Sequence, residues 1–179
     1  MVSILPNSQL YNLTYKFDKS LCSKPVHNEV NNGTIYDVLK NDRKFSKIVE
    51  LIDKGELKYM FKAITNHYGT QAGGLTLFVT DDVHIPDAFV KSADKFRAEV
   101  FIRSYTFSGI ADIKYLVDNG TTIYKTRNDV NPILCNVKQH DNKQVEVTIN
   151  RVGRIVNEIK TTNGIIITMD NIADVAYVN

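Results

Sequence analysis

Asp81, Asp82, His84 and Asp87 fall within seven residues of TLFVTDDVHIPDAF (76–89), directly after an apolar run. Carboxylates and an imidazole at that density are the ingredients of a metal site or an acid–base centre. Hard-metal loops alternate oxygen ligands around a glycine that makes the tight turn. Here Val83 and Ile85 flank His84, and no glycine follows. A zinc site would need further His or Cys ligands at suitable spacing, whereas His27, His67 and His140 stand singly in polar stretches. The same residues also suit a corner between a strand and a helix. Thr80 or Asp81 can accept from free backbone N–H groups, Pro86 can open a helical turn, and Asp87 sits near the positive end of its dipole. The pattern favours a structural turn.

The remaining chemistry is sparse. GTQAGG (69–74) precedes a strand instead of linking a strand to a helix, and no lysine follows at phosphate-loop spacing. Cys22 lies in a polar amino-terminal stretch and Cys135 in the apolar PILCNV, and neither has a histidine near in sequence. Cys135 reads as a small buried hydrophobe. Asn12, Asn32 and Asn119 head formal glycosylation sequons, which an asparagine-rich composition also produces by chance. The expectation is a non-enzyme with no catalytic, cofactor-binding or metal-ligating residues.

Residues 34 onward carry the elements that would position these side chains. TIYDVL reads as a helix start, with Thr34 as cap and Asp37 three residues on. DRKFSKIVELIDKG puts Phe45, Ile48, Val49 and Ile52 on one helical stripe, with Gly55 as its stop. ELKYMFKAI continues helically, and LTLFVT is a short buried strand. In SADKFRAEVFIRSYTF, Ser92 can cap a helix whose inward face is Phe96, Val100 and Phe101. From Ile113 the period changes to two. IKYLV-DNG-TTIYKT and IVNEIKT-TNG-IIITMD read as strand pairs around Asn-Gly, a turn whose two central residues take positive φ. NVKQ-HDNK-QVEVTI and TINRV-G-RIVNEI add further antiparallel strands. Helices first and hairpins after predict an α+β fold.

Residues 1–33 differ, with two of the four prolines and a polar run SKPVHNEVNNG. They read as an extended arm, with a short strand at LYNLTYKF, that becomes ordered by docking on its own domain or on a neighbouring chain. Residues 34–179 then form one domain. At 179 residues the chain can bury roughly 70% of its unfolded surface without disulfide or metal. A net charge of +2, with lysines scattered among acids, gives no nucleic-acid face. No run is long enough to span a bilayer, and the amino terminus lacks the pattern of a secretory signal. The expectation is synthesis in the cytoplasm without membrane insertion.

Three segments together resemble the fasciclin domain. TIYDVLKNDRKFSKIVELIDKGELKYMF is similar to that family's opening helical pair. LTLFVTDDVHI is similar to its first signature, an apolar strand ending in a Thr-Asp turn, and IKTTNGIIITMDNIADV resembles its second, with Asn163, Gly164, Ile165, Ile167 and Asp170 on the signature positions. The resemblance covers residues 34–179 and leaves the arm outside it. Where the family commonly has a Tyr-His pair, this chain has Ser104 and Tyr105. The resemblance implies a wedge-shaped, non-catalytic module that binds other proteins. Combined with an arm and an Asn-, Lys- and Ile-rich composition, it leads to the expectation of a scaffold or cement component, such as the minor capsid protein of a large DNA virus. Its partners would be other capsid or scaffold subunits, met through the arm, and its location the virion. The alternatives are an extracellular cell-surface or matrix adhesion module, and a small-ligand or metal-binding enzyme using Asp81, Asp82, His84 and Asp87.

Overall fold

The structure, a computed structural model, describes residues 27–63 and 74–173. The arm's expected strand at 10–17, Cys22, Asn12 and most of GTQAGG lie outside the described residues. His27–Val30, within the segment 1–33, forms strand β1. Three helices follow, α1 (Ile35–Lys40), α2 (Ser46–Lys54) and α3 (Lys58–Lys62). Strand β2 (Leu75–Thr80) runs through a 3-10 turn (Asp82–His84) into α4 (Asp87–Ser92) and α5 (Lys95–Ser104). Strand β3 (Thr106–Ser108) precedes α6 (Ile113–Asn119) and β4 (Thr122–Tyr124). Strands β5 (Ile133–Gln139), β6 (Val145–Ile149), β7 (Gly153–Lys160) and β8 (Gly164–Met169) complete the sheet.

The sheet runs β3-β2-β8-β7-β6-β5-β4, with β1 added to β7. β2 pairs with β8 and β1 with β7 in parallel; the other pairings are antiparallel. Helices and strands therefore interleave as far as β4, and only β4 to β8 follow one another as hairpins. Its two ends nearly meet. The Arg127 N–H, just past β4, donates to Thr106 O on β3 at 2.8 Å. The Phe107 and Tyr124 rings pack across this seam with centroids 5.5 Å apart, and Tyr115 of α6 lies 6.1 Å from Tyr124. LTLFVT is buried at every position of β2, which lies inside the sheet between β3 and β8.

The expected capping box on α1 is present. The Asp37 N–H donates to Thr34 Oγ1 at 3.3 Å, and the Asp37 carboxylate accepts from Thr34 Oγ1 at 2.7 Å and from Thr34 N–H at 3.3 Å. Gly55 caps the end of α2 as expected, though in a right-handed conformation. The residue in the left-handed region is Glu56 (φ 56), not Gly55, and Leu57 N–H reaches back to Ile52 O at 2.9 Å. Gly55 also serves packing: a Cβ there would stand 3.0 Å from Glu99 N on α5.

Two further expectations are corrected. IKYLV is the helix α6, not a strand. Ile113, Leu116 and Val117 are buried at helical spacing, and Asp112 caps the helix by accepting from Tyr115 N–H at 2.8 Å. The buried Glu158 carboxylate on β7 accepts from Ile113 N–H at 2.8 Å. Asn119-Gly120 thus ends a helix. In α5, Asp94 is the cap and Ser92 closes α4; Ala98, Phe101 and Ile102 face inward, while Phe96 is 69% exposed. Helical geometry places Phe96 on the side of α5 roughly opposite Ala98, Phe101 and Ile102.

The β7–β8 hairpin forms as expected, for a different reason. Neither Asn163 nor Gly164 has positive φ; within β6–β7 it is Asn150 (φ 52) and Arg151 (φ 63) that do. Asn163 is 3% exposed, with four bonds through its side chain and one through its backbone carbonyl. Its Oδ1 accepts from Ile35 N–H at 2.9 Å and from Thr161 Oγ1 at 3.3 Å. Its Nδ2 donates to Phe61 O at 2.8 Å and Ala63 O at 3.0 Å, and its backbone O accepts from Leu75 N–H at 3.2 Å. The side-chain amide therefore opens α1 and closes α3, while the backbone carbonyl of the same residue starts the pairing of β2 with β8. Gly164 permits this, since a Cβ there would fall 2.1 Å from Leu75 O.

The isosteric Asn163→Asp turns the Nδ2 donor into an oxygen facing two carbonyls. It is expected to cost about 2–4 kcal/mol, read as a Tm lower by roughly 5–15 °C. Hydrogen bonding to Thr34, and secondarily to Lys62, holds the Asp37 carboxyl below its ordinary value of 3.8. A depressed carboxylate contributes stability that is complete above its unfolded pKa and lost as pH falls through the folded one. Asp37→Asn should therefore lower Tm at neutral pH and flatten the loss of Tm below pH 3.8, as a melting series across that range would show.

Candidate functional site

Asp82 ends β2's corner by reaching to a different helix. Its Oδ1 accepts from Lys47 N–H at 2.8 Å and its Oδ2 from the Ser46 hydroxyl. The residue before Ser46 is Phe45, which has no side chain able to cap α2. Asp82 therefore supplies the missing N-cap from 36 positions along the chain. Lys47 answers from the helix: its Nζ donates to Asp82 O at 3.0 Å and to Ile85 O, and pairs with Asp87 Oδ1 at 2.9 Å. That contact, by hydrogen bond and by charge, holds the Asp87 carboxyl below its ordinary value.

The expected local caps are not made. Thr80 is buried and donates to Met169 O at 3.1 Å on β8. Asp81 makes no side-chain capping bond, and only its carbonyl is used, by His84 N–H at 3.0 Å. Pro86 occupies the N-cap position of α4, one residue before the helix, and Asp87 is the first helical residue. His84 is exposed on the 3-10 turn. Asp82 and Asp87 thus converge on α2 while Asp81 and His84 do not join them. Among the described residues, no group of three or more His, Cys, Asp or Glu is placed to hold a metal ion.

Sequence reasoning missed the Ser104 junction, which lies where the fasciclin family's Tyr-His pair was expected. Its hydroxyl donates to Val100 O at 2.6 Å and accepts from Asn128 Nδ2 at 3.0 Å and Asn131 Nδ2 at 3.1 Å. Thr126 folds the same loop by bonding Asn128 O and Asn131 O, both at 2.7 Å. The Asn-x-x-Asn spacing is the only trace of this in the sequence, and it has no meaning until α5 supplies the hydroxyl. Cys135 is fully buried on β5, and burial pushes its thiol up to about 12, as suits the small-hydrophobe reading. Tyr36 is likewise pushed up to about 12, by burial and then by its 2.8 Å bond to Asp53. Asn32 and Asn119 are exposed. Among the described residues no helix is long and apolar enough to cross a membrane.

The outer surface carries large apolar side chains. Val30, Tyr59, Val83, Phe96, Ile123 and Val130 are between 64% and 90% exposed. They belong to β1, α3, the 3-10 turn, α5, β4 and the loop before β5. Scattered apolar exposure is ordinary, yet aromatic residues such as Tyr59 and Phe96 are those that interfaces favour.

Asp82 and His84 separate a capping role from a metal site. Asp82→Ala should remove the α2 cap at a cost of about 1–2 kcal/mol, lowering Tm by roughly 2–8 °C, with metal content unchanged. His84→Ala should leave Tm unchanged. Metal lost from an intact fold in either variant would reverse the assignment.

No family model and no curated protein matches the chain. Among solved structures, a FAS1 domain pair from the insect cell adhesion molecule fasciclin I is similar, with a TM-score of 0.62 over 79% of this chain at 14% identity. This chain spans about half of that structure, 51% of its length. The described chain therefore has a fasciclin-like fold.

Proposed function

We propose that the protein is a non-catalytic protein–protein interaction module. The observation that carries this reading is the fasciclin-like fold, met in a solved structure taken from a cell adhesion molecule. The use of Asp82 as a helix cap supports it, because the acid best placed for chemistry is committed to holding α2. Exposed Tyr59 and Phe96 supply side chains of the kind that anchor interfaces. Within that class, we place the protein as a scaffold or cement component of a large assembly, such as the minor capsid protein of a large DNA virus. The composition and the polar arm support this finer reading, as does the continuation of the arm into the sheet at β1.

A second reading, an adhesion module at a cell surface or in a matrix, is favoured by the exposure of Asn119 at its sequon. Glycan on Asn12 or Asn119 of the native protein would select it. Deleting residues 1–30 is expected to abolish or sharply reduce incorporation into the native assembly, measured by co-sedimentation against the full chain. Unchanged incorporation at equal Tm would end the role of the arm as a clamp.

A further inference from the structure

Strand β1 fills a gap that the rest of the sheet leaves open. On the flank away from β8, β7 pairs with β6 only at Gly153 and Arg154. Past the irregularity between Ile155 and Asn157, that flank is taken by β1, in parallel, from His27↔Asn157 to Val30↔Lys160. The receiving strand is fixed. Glu158 and Ile159 are buried, Glu158 accepts from Ile113 N–H at 2.8 Å, and Asn157–Lys160 are paired with β8 on their other side. The inserted strand is held differently. Glu29 and Val30, successive residues on opposite faces, are both exposed, Val30 at 78%. Its end is held by backbone bonds, continued by Asn31 N–H to Lys160 O at 2.8 Å. Only Asn31, Asn32, Gly33 and Thr34 separate it from α1, and Asn31 and Asn32 are exposed.

We infer that β1 exchanges between copies of this chain, His27–Val30 of one copy adding to Asn157–Lys160 of another in the same parallel register. The occupant follows from the site itself. A gap that accepts this four-residue strand within one copy offers the identical ladder to the same strand of a second. Such an exchange replaces each contact by its equal and costs only the ordering of two bodies, which is why swapping is a low-cost route to association. A strand with neither face of its end buried gives up little on leaving. The inference rests on the reading of the protein as an assembly module, and names a second copy as the partner of its arm.

The test uses the full chain with Cys22→Ser, Cys135 being buried. Paired residues on neighbouring strands lie about 4.8 Å apart, within disulfide reach. Val30→Cys and Lys160→Cys are made in separate, differently tagged proteins, mixed at high concentration, held under mild oxidation and run on a non-reducing gel. A covalent heterodimer is expected, and the control mixture of Val83→Cys with Lys160→Cys should give none. The two changes in one chain should also give a fraction closed within a single copy. No heterodimer above the control overturns the exchange, whether or not the single chain closes. Heterodimer formed by a protein whose incorporation survives deletion of residues 1–30 would keep the exchange and remove the assembly role. Lost incorporation without heterodimer would do the opposite.

Discussion

The carboxamide of Asn163 is the point on which the fold turns. A buried amide must satisfy both its acceptor and its donor, and here three of its four partners are backbone groups left over at the ends of helices, the fourth being the Thr161 hydroxyl. Ile35 N–H is an orphan of α1, and Phe61 O and Ala63 O are orphans of α3, while the backbone carbonyl of Asn163 takes the Leu75 N–H that begins β2. Two helices that share no ladder with the sheet are thus tied by one side chain to the turn at which β2 and β8 begin their pairing. Aspartate has the shape but not the donor, and glutamine has the donor but is one methylene too long for the buried site. Gly164 completes the arrangement by letting β8 lie flat against Leu75 O.

The acids of the chain repeat this logic at other helix starts. Asp94 and Asp112 cap their own helices, Asp82 caps α2 from across the fold, and Glu158 reaches from the sheet to α6. Each carboxylate answers free N–H groups and the positive end of a helix dipole. The long-range caps do more than the local ones, because they fix the position of a helix as well as its first turn. Within the cluster at Asp81–Asp87, two of the three acids, Asp82 and Asp87, serve the junction of the 3-10 turn with α2 and α4.

What could be read in the sequence was whatever depends on neighbours in the chain. The Thr34–Asp37 capping box, the buried run of β2 and the β5–β6 and β7–β8 hairpins all follow from local spacing. Ile113–Val117 went astray because a short apolar segment fits either period, and only a cap at Asp112 and a distant Glu158 decide for helix. Phe96 misled because aromatic character was taken for burial. The Asn-Gly at 163–164 pointed to the right hairpin through the wrong property, since Asn163 is required for its amide and Gly164 for its missing Cβ. Asp82's true partner, α2, lies too far along the chain for spacing to reveal. The fasciclin-like signatures located both positions without saying what either side chain does.

The near-closure of the sheet shapes how the molecule tolerates crowding. Unpaired strand edges are templates on which other chains aggregate. β3 and β4 are three residues each, and Arg127 occupies part of the flank of β3 through Thr106 O and the Ser108 hydroxyl. Among the described residues, the outer flank of β1 is left without a strand beside it. Glu29 there and Lys160 beside it are exposed charges of the kind that discourage indiscriminate stacking while leaving a matching strand admissible. The charges beside this one open flank therefore bear on the colloidal behaviour of the domain.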